Sequence, residues 1–312
     1  MKMNPLYYNF KECKAYTRNH AKSFYFSSLL LPKEKREAAY AVYSFCRYAD
    51  NLIDDAVHSS PDKLKIAIHL LHEGLDAAYS EKKDFTISFS AFAKTVKKYN
   101  IPKYYFKELI EGVTMDINTK RYDTFTDLEI YCYKVASVVG LIMCRIFGYT
   151  DNSALSNAIY LGKAMQLTNI IRDIYEDYKM GRIYLPDDEM KCFEYSADDM
   201  GAKKINENFK DMMSYQVKRA RGFYELAKKG FPYLTNDGSR TTVVLMSKIY
   251  SGILDKIEQN NYDIYSKRLF VKTTEKITTA AAYLLNFKKR KEYSAIPQEK
   301  QLISRIPGYY MD

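Results

Sequence analysis

Residues that interrupt regular secondary structure are scarce in this chain. Its 312 residues include 12 glycines, 8 prolines and no tryptophan. The glycines and prolines fall mostly between segments of periodic hydrophobicity, which favours long helices. No uninterrupted apolar run reaches the roughly 18 residues that a membrane-spanning helix needs, so we expect no such helix.

Cysteine is also scarce. The chain contains five cysteines, an odd number, and no two of them form a CxxC pair. This pattern is typical of reduced, mostly buried thiols rather than of a disulfide framework. Residues 1–16 lack the apolar core of a signal peptide. We therefore expect a cytoplasmic protein.

Positive charge exceeds negative charge. The 48 lysines and arginines outnumber the 38 aspartates and glutamates, which gives a formal net charge of +10. A charge of this sign suits nucleic acid, an anionic membrane surface or a polyanionic substrate. No module that reads nucleic acid is recognisable, so we expect no nucleic-acid partner. The membrane surface and the polyanionic substrate are compatible with each other, and both remain open.

Helical periodicity covers most of the chain, and strand-like alternation is nowhere sustained. In residues 34–55, for example, apolar side chains recur at helical spacing after Pro32, a typical helix start. We therefore predict an all-α, single-domain fold over residues 1–287, with helices around a central active-site cavity. The predicted helices span 34–55, a segment that begins at 61, 85–98, 103–119, 126–147, 153–179, 205–229, 239–260 and 272–290.

Residues 288–312 differ from the rest and are predicted to be a basic C-terminal tail. The segment opens with Lys288-Lys289-Arg290-Lys291. Most basic runs are solvated surface. Peripheral, electrostatic contact with an anionic membrane is the alternative. The sequence predicts no oligomeric state.

Two acidic clusters lie within otherwise apolar helical segments. Asp50 and Asp54 are four residues apart, and Asn169, Asp173 and Asp177 repeat that spacing. Side chains four apart share one helix face, where like charges repel unless a cation lies between them. Oxygen ligands without nearby histidine or cysteine suit Mg²⁺, which also binds substrate phosphates. A lone pair would be an exposed helix face, whereas two stripes predict Mg²⁺ ions that hold a diphosphate.

Five segments together resemble the squalene/phytoene synthase family, from about residue 10 to residue 285. Two positions depart from the family pattern. Asn51 stands where an acidic residue is frequent, which should leave metal binding intact, and Ser137 replaces a glycine, which bears on substrate chain length. The matching segments are Lys22-Ser23-Phe24-Tyr25 after His20, Tyr43 to Asp54, Tyr131 to Gly140, Gln166 to Pro186, and Tyr250 together with Tyr262 to Arg268.

The resemblance implies the all-α isoprenoid synthase fold, with the two acidic helices facing each other across a cavity. It also implies a role for individual residues. The implied Mg²⁺ ligands are Asp50, Asp54, Asn169, Asp173 and Asp177. The implied contacts with substrate diphosphate are Lys22, Ser23, Arg47, Gln166, Arg172, Lys267 and Arg268. The implied catalytic residues are Tyr43, Arg47, Tyr131 and Tyr250, whose aromatic members would line the cavity and steady carbocations.

Each of these roles has an ordinary structural alternative. Buried tyrosines usually pack in a core with a hydrogen-bonded hydroxyl, whatever their function. Arg172 and Glu176 are four residues apart, so a simple ion pair along the helix competes with diphosphate binding at Arg172.

The activity that the resemblance implies is head-to-head condensation of two allylic prenyl diphosphates. The substrates would be geranylgeranyl or farnesyl diphosphate, and the reaction would pass through a cyclopropyl diphosphate to phytoene or dehydrosqualene, releasing diphosphate. Segment 181–186 resembles the phytoene-type members. The alternatives are a squalene synthase that uses reduced nicotinamide, a prenyl-diphosphate phosphatase or terpene cyclase, and a non-catalytic assembly factor. Both acidic clusters are intact, which argues against the assembly factor.

Overall fold

A computed structural model describes residues 9–57, 60–80, 90–286 and 293. Over these residues the chain is a bundle of α-helices, and its only strand-like pairings are two isolated bridges. The helices are α1 (Phe10–His20), α2 (Lys22–Ser28), α3 (Lys33–Val57), α4 (Pro61–Tyr79), α5 (Ser90–Lys98), α6 (Lys103–Asn118), α7 (Phe125–Cys132), α8 (Val138–Phe147), α9 (Ser153–Lys179), α10 (Asp187–Cys192), α11 (Ala197–Gly201), α12 (Glu207–Lys228), α13 (Ser239–Gln259) and α14 (Thr273–Leu285).

The prediction of an all-α fold is confirmed. The long predicted helices appear with ends within a few residues of their expected bounds, since periodic burial is strongest in long segments. Predicted helical residues 85–89 and 287–290 lie outside the described residues. The helices α1, α2, α10 and α11 were not predicted, because they are short or carry polar residues on most of their surface.

Helix α9 is the centre of the bundle. It packs against α8, α12 and α13, and its apolar positions are buried along most of its length. Helix α9 crosses the helical segment 125–147 at close range. A Cβ atom added to Gly162 of α9 would lie only 2.4 Å from the Cα atom of Ser137. The Ser137 hydroxyl donates to the carbonyl oxygen of Ile159 at 2.8 Å. Ser137 therefore lies at a close helix approach, where a serine narrows the space between the helices, and it is not among the residues of the cavity wall.

The predicted helix 126–147 contains a π-helical turn, Tyr133–Ser137, between α7 and α8. Turns of this kind are rare and occur frequently at functional sites. The run Phe125–Phe147 is also long and apolar enough to cross a membrane, with a mean hydropathy of 1.6, but 61% of it is buried inside the fold. A core helix passes the same test, and this run packs against α6 and α9.

Helix α9 is not regular at Asp173, the second residue of its Asn169–Asp173–Asp177 stripe. Asp173 has φ −104° and ψ 16°, which lies outside the helical range and marks a kink. The kink lies one turn beyond the part of α9 that lines the cavity, and it changes the direction of the carboxylates that follow.

Candidate active site

One large cavity lies between α2, α3, α8, α9 and α13. It encloses about 1100 Å³ of non-protein space, counting its open mouth, and its wall is mostly apolar. Along α9 the lining runs from Ala154 to Asn169, which corresponds to about 22 Å at 1.5 Å per residue. A cavity of this shape fits an elongated apolar molecule.

The first acidic stripe lies one turn beyond the cavity wall on α3. Cys46 lines the cavity, and Asp50 and Asp54 follow it by one and two turns. The two carboxylate side chains are 40% and 41% exposed. Burial still raises the pKa of Asp50 to about 6, although the Arg47 guanidinium, 2.6 Å from its Oδ2 atom, opposes that rise. The helix flanks of this stripe are apolar as predicted, since Ala49 and Ile53 are buried, whereas the two carboxylates themselves are partly exposed.

The second acidic stripe occupies the equivalent place on α9. Asn169 lines the cavity, and Asp173, with a side chain only 16% exposed, lies one turn further on. Arg268 donates to both oxygens of Asp173, at 3.0 and 2.9 Å, and Arg172 also contacts both. Burial alone would raise the pKa of Asp173, but these four hydrogen bonds lower it below its ordinary value. Arg172 therefore pairs with Asp173 rather than with Glu176.

Arg182 connects the two stripes. Its side chain is 7% exposed and donates from Nη2 to Asp54 Oδ1 at 2.9 Å, while Nη1 lies 3.8 Å from Asp116 Oδ2. Burial and the neighbouring Asp173 charge raise the pKa of Asp177 to about 7, and the Arg182 charge opposes that rise. Carboxylates from three helices thus converge around one buried guanidinium.

Asp116 on α6 organises a group of tyrosines behind this cluster. Tyr184 donates to Asp116 Oδ1 at 2.8 Å, and Tyr131 donates to Oδ2 at 3.1 Å. The rings of Tyr131 and Tyr184 stack with centroids 5.0 Å apart, and Tyr122 stacks on Tyr184 and lies tilted against Tyr131. Burial, followed by the charges of Tyr184 and Asp116, raises the pKa of Tyr131 well above its ordinary value. Tyr131 therefore remains a neutral hydrogen-bond donor.

The three predicted catalytic tyrosines occupy different places. Tyr43 and Tyr250 line the cavity near its mouth, as the sequence analysis expected. Tyr131 is 5% exposed and is absent from the cavity wall, so the expectation that it lines the cavity is wrong. It reaches the site through its hydrogen bond to Asp116.

The remaining predicted contacts are spread around the mouth. Gln166 lines the cavity beside Asn169, whose amide group lies 3.5 Å from the Gln166 Oε1 atom. Lys22 and Ser23 begin α2, next to Ala21 of the cavity wall, and Lys22 is exposed. Lys267 is exposed beside Arg268, and its charge acts on Asp263. Among these residues, the structure thus places Gln166 and Asn169 in the cavity wall.

The donor set of the two stripes suits a metal ion shared with a ligand. Among the described residues, no three Asp, Glu, His or Cys side chains converge closely enough to hold a metal by themselves. Mg²⁺ normally takes one or two carboxylates and completes its shell with phosphate oxygens and water. On α9, Glu176 also carries a buried oxygen without a hydrogen-bond partner. The residues fit Mg²⁺ on these grounds, and the individual ligand assignments stay predictions.

Sequence reasoning missed three residues of this site, namely Asp116, Arg182 and Tyr184. A signal for Asp116 was present, because Tyr105, Leu109 and Asp116 follow helical spacing and share the buried face of α6. A carboxylate on a buried face requires a partner. Arg182 and Tyr184 lie in segment 181–186, which resembles the family, but the contact of Arg182 with Asp54 arises only from the tertiary fold.

Comparison with known proteins agrees with this geometry. Residues 17–275 match the family model described as squalene/phytoene synthase. The chain is 34% identical over 288 residues to the 15-cis-phytoene synthase of Synechococcus elongatus, which covers 88% of this chain and 92% of that protein. This chain belongs to the squalene/phytoene synthase family.

Solved structures give the same result. A dehydrosqualene synthase crystallised with a ligand is 30% identical, with a TM-score of 0.80 over 88% of this chain and 96% of that one. A squalene synthase, HpnC from Alicyclobacillus acidocaldarius, is 29% identical, with a TM-score of 0.73 over 81% of this chain and 94% of that one. The expected isoprenoid synthase fold is confirmed.

Proposed function

We propose that this chain is a prenyltransferase that condenses two allylic prenyl diphosphates head to head and forms phytoene or its thirty-carbon analogue. The observation that carries the proposal is the combination of a charged mouth and an apolar interior. Carboxylates and arginines of α3 and α9 lie one turn beyond the wall of an apolar cavity of about 1100 Å³. An amphipathic prenyl diphosphate has the same division between a charged end and an apolar chain.

The charged mouth would bind the diphosphate. Arg172 and Arg268 already converge on Asp173, so their guanidinium groups lie where a diphosphate and its cation would meet. Arginine suits this role because its planar fork donates two parallel hydrogen bonds to phosphate oxygens. Bound Mg²⁺ would supply positive charge that offsets the charge of the departing diphosphate.

The cavity would protect the carbocation that remains after diphosphate departs. The alkene of the second substrate attacks this cation, and proton loss closes a cyclopropane. A second ionisation, a rearrangement and a final proton loss give the hydrocarbon. Tyr43 and Tyr250 present aromatic rings near the mouth, where their faces attract positive charge. The apolar wall excludes water, which would otherwise convert the cations into alcohols.

The final step separates this proposal from a squalene synthase. Proton loss leaves a central double bond, whereas hydride capture from reduced nicotinamide saturates it. The test incubates the protein and Mg²⁺ with farnesyl or geranylgeranyl diphosphate, with and without reduced nicotinamide, and measures product mass. We expect the unsaturated hydrocarbon in both cases. A product two hydrogens heavier that forms only with the nicotinamide would make the protein a squalene synthase, and prenyl alcohols alone would indicate a phosphatase.

We further propose that the protein works in the cytoplasm, in peripheral contact with a membrane. All five cysteines are free thiols, which suits a reducing compartment. Burial raises the pKa of Cys13 to about 11, so this thiol stays protonated and unreactive. Fractionation of cells that express the chain would place it in the soluble and the loosely bound membrane fractions.

A further inference from the structure

The outer face of α14 carries exposed apolar side chains. Ile277, Leu284 and Leu285 are 53%, 38% and 84% exposed, and Phe270, just before the helix, is 63% exposed. Residues 277, 284 and 285 recur at helical spacing and therefore share one face. We name these four residues the α14 stripe. Single exposed apolar residues are ordinary, whereas a contiguous group marks an interaction site.

The opposite face of α14 already has its partners. Glu275 forms an ion pair with Lys256 of α13, with Oε1 and Nζ 2.5 Å apart. Tyr283 is 3% exposed. Val271, just before α14, packs beside Gly252 of α13. A Cβ atom added to Gly252 would lie 3.3 Å from the Cγ2 atom of Val271. Because these contacts fix the orientation of the helix on α13, the stripe is held facing outward.

The described part of the C-terminal segment packs on the inner side of α14. The ring of Tyr293 lies 5.9 Å from that of Tyr283 and 5.9 Å from that of Phe231. Its face also receives the Lys248 ammonium group of α13 at 5.1 Å. Tyr293 thus follows the α13 side of α14 and lies away from the stripe.

The sequence that flanks α14 is mostly positively charged. Residues 273–285 contain one carboxylate, Glu275, which is engaged with Lys256. Lysines and an arginine precede the helix at positions 267, 268 and 272, and four consecutive cations follow it at positions 288–291. An apolar helix face with cations on both sides in the sequence is typical of helices that lie on anionic lipid.

We propose that the α14 stripe docks this protein on a bilayer that contains anionic lipids. The proposal rests on the proposed function, because a hydrocarbon product must pass from the cavity into a bilayer. Phe24 of α2 and Tyr250 of α13 line the cavity, and α14 packs on α13. Lys276 of α14 is 7% exposed, and its burial and the Lys22 charge lower its pKa. The helix that carries the docking face thus packs, through its other side, on α13, one of the helices that line the cavity.

The test measures binding of the full chain to vesicles by sedimentation, without substrate. Vesicles of phosphatidylglycerol and phosphatidylcholine are compared with vesicles of phosphatidylcholine alone. The variant Ile277→Gln/Leu285→Gln replaces the two most exposed large apolar side chains of the helix. Ile66→Gln is the matched control, since Ile66 is 57% exposed on α4, away from this face. All these positions are exposed, so unchanged thermal unfolding is expected and is measured first.

We expect the double variant to bind anionic vesicles at least tenfold more weakly than the wild type, while Ile66→Gln binds normally. High salt and purely zwitterionic vesicles should weaken wild-type binding as well. Equal binding by the double variant and the wild type would overturn the proposal. A second result would also overturn the proposal. In that result the wild type is a dimer, the double variant is a monomer, and both bind vesicles equally. Sedimentation does not require turnover, so this result is independent of the assay for the proposed function.

Discussion

Arg182 and Asp54 are joined by a hydrogen bond of 2.9 Å between Nη2 and Oδ1, although 128 residues separate them in the chain. Arg182 lies in the loop after α9 and Asp54 lies on α3, so this contact ties the loop to the first acidic stripe. The Arg182 Nε atom is buried without a partner of its own, and Asp116 lies 3.8 Å from its Nη1 atom. The guanidinium is thus the counter-charge for carboxylates on separate helices.

Replacement of Arg182 by glutamine should destabilise the fold strongly. Loss of a buried partner leaves carboxylates uncompensated, which typically costs about 3–5 kcal/mol. We expect a loss of about 3 kcal/mol, because Asp54 is partly exposed and therefore screened. Urea unfolding without metal measures it. The control Arg121→Gln breaks an exposed ion pair with Asp187 and should cost less than about 1 kcal/mol. Equal losses in the two variants would show that Arg182 has no special role.

Alanine at Asp50 or at Asp173 should abolish turnover, with different effects on stability. Both positions are predicted Mg²⁺ ligands, so we expect turnover to fall by at least about a hundredfold. Asp50 is 40% exposed, and its loss should leave stability nearly unchanged. Loss of Asp173 should cost about 2–3 kcal/mol, because Arg172 is 13% exposed and would lose its partner. The control is Asp76→Ala, because the Asp76 side chain is 65% exposed and forms a surface ion pair with Lys103. Near-normal turnover of both variants at saturating Mg²⁺ would disprove the metal assignment.

Arg268→Ala should weaken diphosphate binding more than it weakens the fold. The Arg268 side chain is 60% exposed, so few packing contacts are lost with it. Loss of a charge-assisted contact to phosphate typically costs about 1.5–3 kcal/mol. Calorimetry with an unreactive prenyl thiodiphosphate measures the affinity, and urea unfolding measures stability. Arg221→Ala, a 38% exposed arginine paired with Asp255 and Glu258, is the control. Unchanged affinity in Arg268→Ala would make Arg268 a surface residue only.

Tyr131→Phe and Tyr122→Phe remove hydroxyl groups from two neighbouring buried rings, whose centroids lie 5.7 Å apart. The Tyr131 hydroxyl donates to a carboxylate, whereas that of Tyr122 is buried without a partner. Loss of the first should cost about 1.5–3 kcal/mol, and loss of the second should be neutral or stabilising. We also expect kcat to fall in Tyr131→Phe alone. Unfolding curves and steady-state kinetics of the two variants provide the comparison, and similar behaviour of the pair would contradict it.

The stability of the metal-free protein should fall as pH rises towards neutrality. The pKa of Asp177 is raised from its ordinary value of 3.8 to about 7, so the folded state holds this proton more tightly than the unfolded chain does. The contribution is complete below about pH 4 and is lost as pH rises through about 7. In a dry interior the change would be about 4 kcal/mol. Partial exposure reduces the expected loss to about 1–2 kcal/mol.

The measurement for this pH effect is urea unfolding with a chelator between about pH 5 and pH 8. The variant Asp177→Asn has no proton to lose at this position, so its stability should change less over the same range. A profile that is equally steep in Asp177→Asn and in the wild type would assign the pH dependence to another group.

The long helices could be predicted from the sequence because their apolar positions repeat over several turns. Residues 34–55 were predicted and Lys33–Val57 is observed, and residues 153–179 were predicted with both ends correct. The short helix α2 gave no such signal, because seven residues contain barely two turns. Periodicity therefore identifies the long helices of the bundle but not its short ones.

The candidate site could be predicted only where its residues repeat along one helix. The spacing of Asp50 and Asp54, and of Asn169, Asp173 and Asp177, is local information. The burial of each stripe is not local, since it depends on which helix covers it. Asp173 pairs with Arg268, which lies 95 residues further along the chain, as well as with its neighbour Arg172. Residue spacing cannot predict a contact between such distant segments.

The π-helical turn Tyr133–Ser137 decides which side chains of α8 face the substrate. It adds one residue to the run between α7 and α8, and each residue of a helix rotates the chain by about 100°. With the π-helical turn present, Val139, Met143 and Phe147 face the cavity. Deletion of a single residue from this turn would restore a regular helix but rotate all three away from the substrate together. The part of the cavity wall that α8 forms thus depends on this π-helical turn. Loss of one codon here would exchange all the side chains that α8 contributes to the wall, whereas a point substitution changes one of them.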